Sequence, residues 1–291
     1  TLASSLDLNT ADVTGASVEV DGAQTTDTGA VNVQATSGDI TGENTSITSN
    51  TDLTMQASSG ISADGTALTA TNGDVNLTAS TGVVTGNVNA VNGNITIIAN
   101  QANTNGAFTR ATASGGNAIL DDITGQIITV IANSLTTGSI SGTTITLTAS
   151  SDGTLSLGSS LASSAGSILL DGASVSGSDL SFTSADDLNF NSISSLTNTG
   201  DLTFNVRDGD ILATFLNLST TGTSSLTAQT IANLGTTTGN QGLTFNVNTT
   251  TGFQRTGETV FDADTGQLTL VGFYNVIGSL FVNGATFDFT R

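Results

Sequence analysis

The stretch NGDVNLTASTGVVTG, residues 72–86, decides the fold because nearly the same residues precede it at one fixed interval. Residues 50–65 read NTDLTMQASSGISADG, and a 22-residue shift places Asn50 on Asn72 and Gly60 on Gly82. The same shift reaches back to GAVNVQATSG, residues 29–38. A fixed period of about 20–50 residues indicates a repeat architecture.

Within each repeat, short runs alternate apolar and polar residues, which predicts strands with one buried face. Val, Ile, Leu, Thr and Phe dominate these runs, and Gly with Asn, Asp or Ser separates them, as turns require. No stretch has a sustained helical period. The runs are VNVQA (31–35), LTMQA (53–57), VNLTA (75–79), ITIIA (95–99), ITLTA (145–149), LSFTS (180–184) and LTFNV (202–206 and 243–247).

The period and the strands together predict an all-β, right-handed parallel β-helix (β-solenoid) with coils of about 20–28 residues. Each strand pairs with its equivalent one coil later, so recurring apolar residues form inward ladders. The alanines at 35, 57, 79 and 99 fit an inward position near a corner. We predict regular coils over residues 1–240 and wider, Phe-rich coils or a cap of the same solenoid over 241–291.

The C-terminal part holds seven of the twelve phenylalanines, and three pairs of them share one 28-residue interval. This interval predicts a wide last coil with three phenylalanine ladders. Such a region serves either as a thicker core near a cap or as a surface that docks a neighbouring domain or subunit, because open solenoid ends pair with other edges. The pairs are Phe245 with Phe273, Phe253 with Phe281, and Phe261 with Phe289.

Composition excludes several function classes. The 291 residues include no Cys, His, Lys, Pro or Trp, so thiolate, imidazole and Schiff-base chemistry have no residues to perform them. With 24 acidic residues and four arginines, the formal charge is −20, which disfavours nucleic acid as a partner. The sequence contains no apolar run of about 18 residues, so no membrane-spanning helix is predicted. We expect no cofactor, no membrane insertion and no catalytic or metal-binding residues.

Acidic pairs are the remaining candidates for catalysis, since glycoside hydrolysis needs two carboxyl groups. Asn50–Asp52 and Asp121–Asp122 resemble isolated pieces of a polygalacturonase pattern, and Asp186–Asp187 is a third acidic group. Asp52 recurs as Asp74, which favours a turn. The segment Arg207–Asp210 is the one place where Arg and two Asp converge, as a polysaccharide lyase site would require. Pairing of Arg207 with Asp208 or Asp186 is the simpler interpretation.

Two further patterns suggest ligands. The segment Asp262–Gly266 has the spacing of the start of a calcium loop, but Phe273 occupies the position where a Glu ligand would complete it. The run TTITLT, residues 143–148, and similar runs predict flat threonine ladders of the ice-binding kind. An Asx-rich turn and an ordinary solvated strand are the simpler interpretations.

The repeats GDVNLTASTGVVTG (73–86), GNITIIAN (93–100) and GDLTFNV (200–206) resemble those of filamentous haemagglutinin-type bacterial exoproteins, which are large adhesins secreted by the two-partner route. The resemblance covers most of residues 25–215. It implies a rod-like segment at the bacterial cell surface. The family's secretion domain carries proline-containing motifs that this chain lacks, so the resemblance implies an interior or distal fragment of a longer protein.

We therefore predict a non-enzymatic structural and adhesive rod segment, extracellular, that attaches to a host or surface receptor or glycan. Two alternatives remain: a subunit of a self-assembling extracellular filament or sheath, formed by end-to-end self-association, and a polysaccharide-binding or -cleaving β-helix. The repetition indicates that the residues of the regular coils have a structural role. We therefore expect specific function where the period breaks, near residues 100–142, or at the Phe-rich end after residue 240.

Overall fold

The computed structural model is all-β, a parallel β-solenoid of about 11 turns, which confirms the predicted fold class. It describes residues 2–3, 6–7, 11–21, 24–25, 29–42, 46–63, 66–80, 82–85, 87–92, 95–99, 110–113, 118–120, 123–124, 127–247 and 251–290. The chain divides into two compact units, Thr1–Gly142 and Thr143–Arg291. Asp121 and Asp122 lie outside the described residues.

The first unit contains strands β1–β21, grouped in parallel ladders. One ladder joins β1, β4, β7, β10 and β13, a second joins β2, β5, β8, β11, β14, β16 and β19, a third joins β3, β6, β9, β12, β15, β17 and β20, and β18 pairs with β21. The bounds are β1 (Leu2–Ala3), β2 (Leu6–Asp7), β3 (Ala11–Gly15), β4 (Val18–Asp21), β5 (Gln24–Thr25), β6 (Val31–Ala35), β7 (Ile40–Gly42), β8 (Ser46–Ser49), β9 (Leu53–Ala57), β10 (Gly60–Ala63), β11 (Ala67–Ala70), β12 (Val75–Ala79), β13 (Gly82–Thr85), β14 (Asn87–Ala90), β15 (Ile95–Ala99), β16 (Arg110–Ala113), β17 (Ala118–Leu120), β18 (Ile123–Thr124), β19 (Ile127–Ala132), β20 (Leu135–Thr137) and β21 (Ile140–Gly142).

The second unit contains strands β22–β40, again in parallel ladders. Their bounds are β22 (Thr144–Ala149), β23 (Thr154–Leu157), β24 (Ser160–Ser163), β25 (Ile168–Asp171), β26 (Ser174–Ser178), β27 (Ser181–Ser184), β28 (Leu188–Asn191), β29 (Ser195–Thr199), β30 (Leu202–Val206), β31 (Ile211–Thr220), β32 (Thr223–Ala228), β33 (Ile231–Gly239), β34 (Gly242–Val247), β35 (Phe253–Thr256), β36 (Thr259–Asp262), β37 (Gln267–Val271), β38 (Tyr274–Ile277), β39 (Leu280–Asn283) and β40 (Thr286–Thr290). One ladder joins β24, β27, β30, β32, β34, β37 and β40. The long strands β31 and β33 each continue around a corner and so belong to two faces.

The stretch that predicted the fold has the predicted register. Val75 pairs with Leu53 on one side and with Ile95 on the other, and Leu53 pairs with Val31. Strands β6, β9 and β12 share one alternating pattern, with every second side chain buried. Ala79 is likewise stacked on Ala57 and buried, as expected for a tight inward position. The repeated residues therefore form a parallel sheet in which equivalent positions of successive coils are in contact.

Two clusters of phenylalanine rings fill the interior of the second unit. Phe182 lies under Phe204 in adjacent strands, as the 22-residue interval predicts, and Phe190 completes the first cluster, with ring centroids 5.0–6.1 Å apart. Such contacts add to the hydrophobic stabilisation of burying the rings. The second cluster brings together Phe245, Phe253 and Phe261, with centroids 4.5–5.8 Å apart.

The predicted 28-residue register of the C-terminal phenylalanines is wrong. Phe245 pairs with Leu270, Phe253 with Tyr274 and Phe261 with Val282, so none of the three stacks on its predicted phenylalanine partner. The three rings start from three different strands, β34, β35 and β36, and meet across the coil interior instead of stacking along it.

The length of a coil also varies along the chain. The interval between stacked residues is short where Ala118 lies on Leu135 and long where Gly242 lies on Gln267. A single period therefore describes the regular coils and fails where turns gain or lose residues.

Candidate functional surfaces

The Gly-Asp pairs of the repeat join successive coils. In four places of the described chain, an aspartate carboxylate accepts a hydrogen bond from a backbone N–H one coil later, at 2.8–3.0 Å, and the residue just before that donor is glycine. A Cβ on this glycine would lie within 2.6 Å of the aspartate below it, so only glycine allows the approach. The four sets are Asp52 with Gly73–Asp74, Asp179 with Gly200–Asp201, Asp187 with Gly209–Asp210, and Asp201 with Gly222–Thr223.

Two carboxylates that bridge coils have lowered pKa values. Hydrogen bonds from the backbone N–H of Thr223 and then from its hydroxyl lower the pKa of Asp201 below its ordinary value of 3.8. The backbone N–H of Gly60, and then the hydroxyl of Ser59, lower the pKa of Asp39 in the same way. These bonds stabilise the ionised form, so both aspartates favour the stacked coils while they are charged.

The acidic pair Asp186–Asp187 does not converge on a shared point. The carboxylate of Asp186 accepts a hydrogen bond of 3.4 Å from the hydroxyl of Ser167, on the preceding coil. That of Asp187 accepts one of 2.9 Å from the backbone N–H of Asp210, on the following coil. Hydrolysis by an acid and base pair needs both carboxyl groups on one substrate. The structure uses these two groups for stacking in opposite directions.

The segment Arg207–Asp210 forms the next turn above this pair. Arg207 and Asp208 are exposed, and their backbone N–H groups bond to the carbonyls of Ser184 and Ala185 on the coil below. Asp210 donates its N–H to Asp187. Asp210 therefore has the same role as Asp74, whose backbone N–H bonds to the carboxylate of Asp52. The recurrence of Asp52 as Asp74 had predicted such a turn.

The predicted start of a calcium loop is an Asx turn. The carboxylate of Asp262 accepts hydrogen bonds of 2.9 Å from the backbone N–H of Asp264 and from the side-chain amide of Asn283. Ala263 between the two acids is buried, and Gly266 closes the turn by donating to its carbonyl at 2.7 Å. Throughout the described ranges, no group of three or more acidic side chains is positioned to hold a metal ion.

The threonine run 143–148 does not continue as a ladder. Thr146 pairs with Leu169 and Thr148 with Asp171 on the next coil. A flat array of threonines needs threonine at the same position on several coils. The run 143–148 therefore does not form the predicted ladder with the next coil. A broader uncharged polar surface exists in the first unit, where Asn32, Thr54 and Asn76 form one row.

Sequence reasoning did not find the polar residues that hold the corners from inside. Ser49 donates to the carbonyl of Asp52 at 2.8 Å, and Ser184 donates to that of Asp187 at 3.0 Å. Asn198 is buried, and its amide nitrogen lies 2.8 Å from the carbonyl oxygen of Asp201. The shared signal is Ser or Asn three positions before the bridging aspartate.

Asparagines also form a short ladder at the corner of the first unit. The side-chain amide of Asn72 donates to Asn50 at 2.9 Å, and that of Asn92 donates to Asn72 at 3.1 Å. Each amide is both a donor and an acceptor, so identical residues can bond in series along the coil axis. This explains why Asn50 and Asn72 recur at the 22-residue interval.

The last coil presents the largest apolar surface of the described chain, here called the end surface and defined as residues 273–290. Seven of the nine exposed large apolar side chains lie in it. They are Phe273, Ile277, Leu280, Phe281, Val282, Phe287 and Phe289. Grouped exposed apolar side chains of this kind are typical of surfaces that contact further protein. The period had pointed to this end of the chain, although through an incorrect register.

The end surface is the open end of three ladders. Strands β38, β39 and β40 pair with β35, β36 and β37 below them and with no other strand in the described chain. Phe287 and Phe289 lie over the buried residues Leu268 and Leu270, so they occupy inward positions of a core that nothing described covers. Their rings are stacked, with centroids 6.0 Å apart.

A concavity of about 470 Å³ opens at one edge of the end surface, lined by Leu270, Gly272, Phe273, Tyr274, Phe289 and Thr290. Tyr274 is stacked on Phe253, and its hydroxyl lies 3.2 Å from the carbonyl oxygen of Phe245. Burial raises the pKa of the Tyr274 phenol well above its ordinary range, so the hydroxyl remains protonated and donates this hydrogen bond.

Comparisons with protein-family models, with curated proteins and with solved structures found no match to this chain. In the described part of the chain, no helix has the length and apolar character needed to cross a bilayer.

Proposed function

We propose that this chain is a structural and adhesive segment of a bacterial surface protein, exported from the cell and without enzymatic activity. The observation that carries the proposal is the use of the bridging aspartates. Their carboxylates are engaged by backbone N–H groups of the next coil, as in Asp187 with Asp210 and Asp201 with Thr223. The acidic side chains thus stabilise a repetitive scaffold.

The flanks of this scaffold suit attachment through many weak contacts. In the first unit, Asn32, Thr54 and Asn76 form one outward row, and Gln34, Gln56 and Thr78 form the next. These side chains are uncharged, partly or fully exposed and evenly repeated. Repeated weak contacts on one rigid body give avidity without a deep pocket. A receptor or glycan at a host or other surface is the class of partner that fits.

Attachment is tested with beads that carry the purified chain at high density. We expect such beads to bind epithelial cells or glycan-coated surfaces about 100-fold better than the soluble chain, because multivalency multiplies weak contacts. Beads coated with a triple variant, N32D/T54D/N76D, test the first-unit flank, and beads with Ser181→Asp, Thr203→Asp and Ser225→Asp carry an equal charge on the second. Equal binding by uncoated beads contradicts the proposal.

The non-enzymatic part has its own measurement. The chain is incubated with uronate-containing and neutral polysaccharides, and reducing ends and unsaturated uronates are followed over a day. No release above the buffer control is expected. Release that disappears in an Asp187→Asn or Arg207→Gln variant would replace the adhesive proposal by a polysaccharide-cleaving one.

A further inference from the structure

We propose that a corner of the second unit, built around Phe215 and Arg255, binds a sugar residue that carries a carboxylate, as a uronate does. The carboxylate pairs with Arg255, and the apolar face of the sugar ring lies against Phe215. This goes beyond attachment through the polar rows of the first unit, which needs neither a charge nor a single site. The two side chains belong to β31 and β35, two coils apart, with β33 between them.

An insertion in β31 turns the Phe215 side chain outward. Two register shifts in the pairing of β31 with β33 leave three residues, 213–215, opposite the single residue Asn233. Irregularities of this kind re-aim a side chain and are common beside functional sites. Asn233 has a left-handed backbone, with φ 63°, and its amide donates to the carbonyl of Ala213 at 2.9 Å, which holds the inserted segment. Phe215 is consequently 41% exposed, and outside the end surface it is the one exposed aromatic side chain of the described residues.

Arg255 lies over the Phe215 ring, with its guanidinium carbon 5.0 Å from the ring centroid. Gly235, on the intervening coil, makes room for the ring, because a Cβ there would lie 3.0 Å from two ring atoms. The face of an aromatic ring attracts a cation. The contact therefore orients the guanidinium before a ligand arrives, and such pre-organisation lowers the entropic cost of binding.

The charge of Arg255 has no carboxylate partner in the described chain. Its Nε atom is buried without a hydrogen bond, and the nearest acid in sequence, Glu258, is exposed. Arginine is always charged, and an unpaired buried donor is costly, so this group is a candidate for pairing with a ligand. The two Nη atoms are not buried. They can donate two parallel hydrogen bonds to a carboxylate that comes from outside the chain.

Hydroxyl groups flank the two side chains. Thr214 precedes Phe215 and Thr256 follows Arg255, and both threonines are exposed. Their hydroxyl groups form no hydrogen bond within the described chain. They are therefore available to the hydroxyl groups of a sugar that is held between the ring and the guanidinium.

A concavity of about 290 Å³ provides space for a second sugar residue beside the first. It is lined in part by Thr214, Leu212, Asn189 and Asn191. Sites for small ligands begin at about this size and combine apolar side chains with a few polar groups. The amides suit sugar hydroxyl groups, and Leu212 suits the C–H face of a sugar ring.

The position of this corner favours a sugar over a peptide. The strand β31 is paired with β28 and β29 on one side and with β33 on the other, so it offers no free edge to an added strand. A sugar residue requires only side chains. A densely charged polyanion is disfavoured because the formal charge of the chain is −20, whereas a single carboxylate has a local counter-charge in Arg255.

A ligand-observed NMR titration of the full chain with a galacturonate trisaccharide tests the site. We expect a dissociation constant on the order of 1 mM, and weaker binding at high salt, because salt screens the pairing of exposed charges. The matched ligand is the methyl ester of the same trisaccharide, which keeps the rings and loses the charge. It should bind about 10-fold more weakly or worse, since hydrogen bonds to charged groups are lost. This comparison needs no variant.

Four variants assign the preference to the corner. Arg255→Gln should bind the acid and the ester equally weakly, and Arg255→Lys should recover only part of the preference, because an ammonium group lacks the planar fork. Phe215→Leu remains apolar but loses the aromatic face, and should bind about 2–10-fold more weakly. Arg207→Gln removes the same charge from another exposed arginine and should bind like the wild type. Circular dichroism checks that all four remain folded.

Several results would overturn the inference. Absence of binding by the wild type, equal binding of acid and ester, or an unchanged preference in Arg255→Gln would show that Arg255 only covers the Phe215 ring. Tighter binding of a triglutamate peptide than of the trisaccharide would assign the corner to acidic peptides. An equal loss in Arg207→Gln would reduce the effect to net charge. The ligand is a soluble trisaccharide, so none of these results depends on the attachment of beads.

Discussion

The backbone of Gly209 lies directly on Asp187, one coil below, so that a Cβ at position 209 would come within 2.6 Å of both the backbone nitrogen and the Oδ1 atom of Asp187. The same Oδ1 atom accepts the N–H of Asp210 at 2.9 Å. The absence of a side chain at Gly209 lets the two coils approach closely. The hydrogen bond to Asp187 then holds them in register.

Gly209→Ala should therefore destabilise the second unit. The added methyl group meets backbone atoms that cannot move aside without breaking the Asp187–Asp210 hydrogen bond. We expect a loss of about 1–3 kcal/mol in the free energy of unfolding, the usual cost of overpacking. Urea titration followed by circular dichroism measures it. Gly284→Ala is the matched control, because its Cβ would make only ordinary contacts, the nearest at 3.4 Å. Equal stability of the two variants would show that the close approach does not restrict position 209.

The lowered pKa of Asp201 links the stacking of coils to pH. The folded-state pKa lies below the ordinary value of 3.8, so the stabilisation is present at and above that value and is lost as the pH falls through the lowered pKa. Asp201→Asn keeps an acceptor oxygen but cannot titrate. We expect the midpoint of thermal unfolding to fall less steeply in this variant than in the wild type between pH 4 and pH 2.

Asp208→Asn is the control for charge alone, since it removes one acidic group from an exposed turn residue. General relief of repulsion in an acidic chain changes both variants alike. A pH profile of Asp201→Asn that coincides with the wild type would show that the bond to Thr223 contributes nothing to acid stability.

The sequence was sufficient to predict the pairing of the regular strands but not the positions of residues where the coil length changes. Strict period-2 alternation and a 22-residue shift placed Val75 on Leu53 correctly, because inward positions of a narrow core must repeat. The 28-residue interval failed because identical residues on different faces of a coil can share an interval without sharing a ladder. Phe253 and Phe281 are an example, since Phe253 is buried under Tyr274 while Phe281 faces outward over Val260.

The divergence of one acidic pair has a related cause. The neighbours Asp186 and Asp187 are equally acidic in sequence, yet one bonds to the coil below and the other to the coil above. Direction of this kind depends on coil stacking and has no local signal.

Phe204 tests how much the first aromatic cluster contributes. Its ring is fully buried and lies 5.0 Å from the ring of Phe182 and 5.5 Å from that of Phe190, centroid to centroid. Phe204→Ala should cost about 3–5 kcal/mol, the usual range for a large cavity in a core. Hydrogen exchange should show the loss concentrated in β27, β30 and β32, since coils interact mainly with their neighbours. Phe215→Ala, on the surface, should cost much less.

Asn198 provides the sharpest test of the inner corners. The buried side chain accepts the N–H of Leu180 at 3.1 Å and donates to the carbonyl of Asp201 at 2.8 Å and to the hydroxyl of Thr220 at 3.0 Å. Asn198→Ala leaves these buried groups without partners, at a cost of about 1–3 kcal/mol for each group that water does not reach. Asn198→Ser should recover part of the loss, because a serine three residues before an aspartate can make this bond, as Ser184 does with the carbonyl of Asp187 on another face of the coil. The measurement is the free energy of unfolding in urea at neutral pH. An alanine variant as stable as the serine variant would show that filling the corner, and not its hydrogen bonds, is what this position requires.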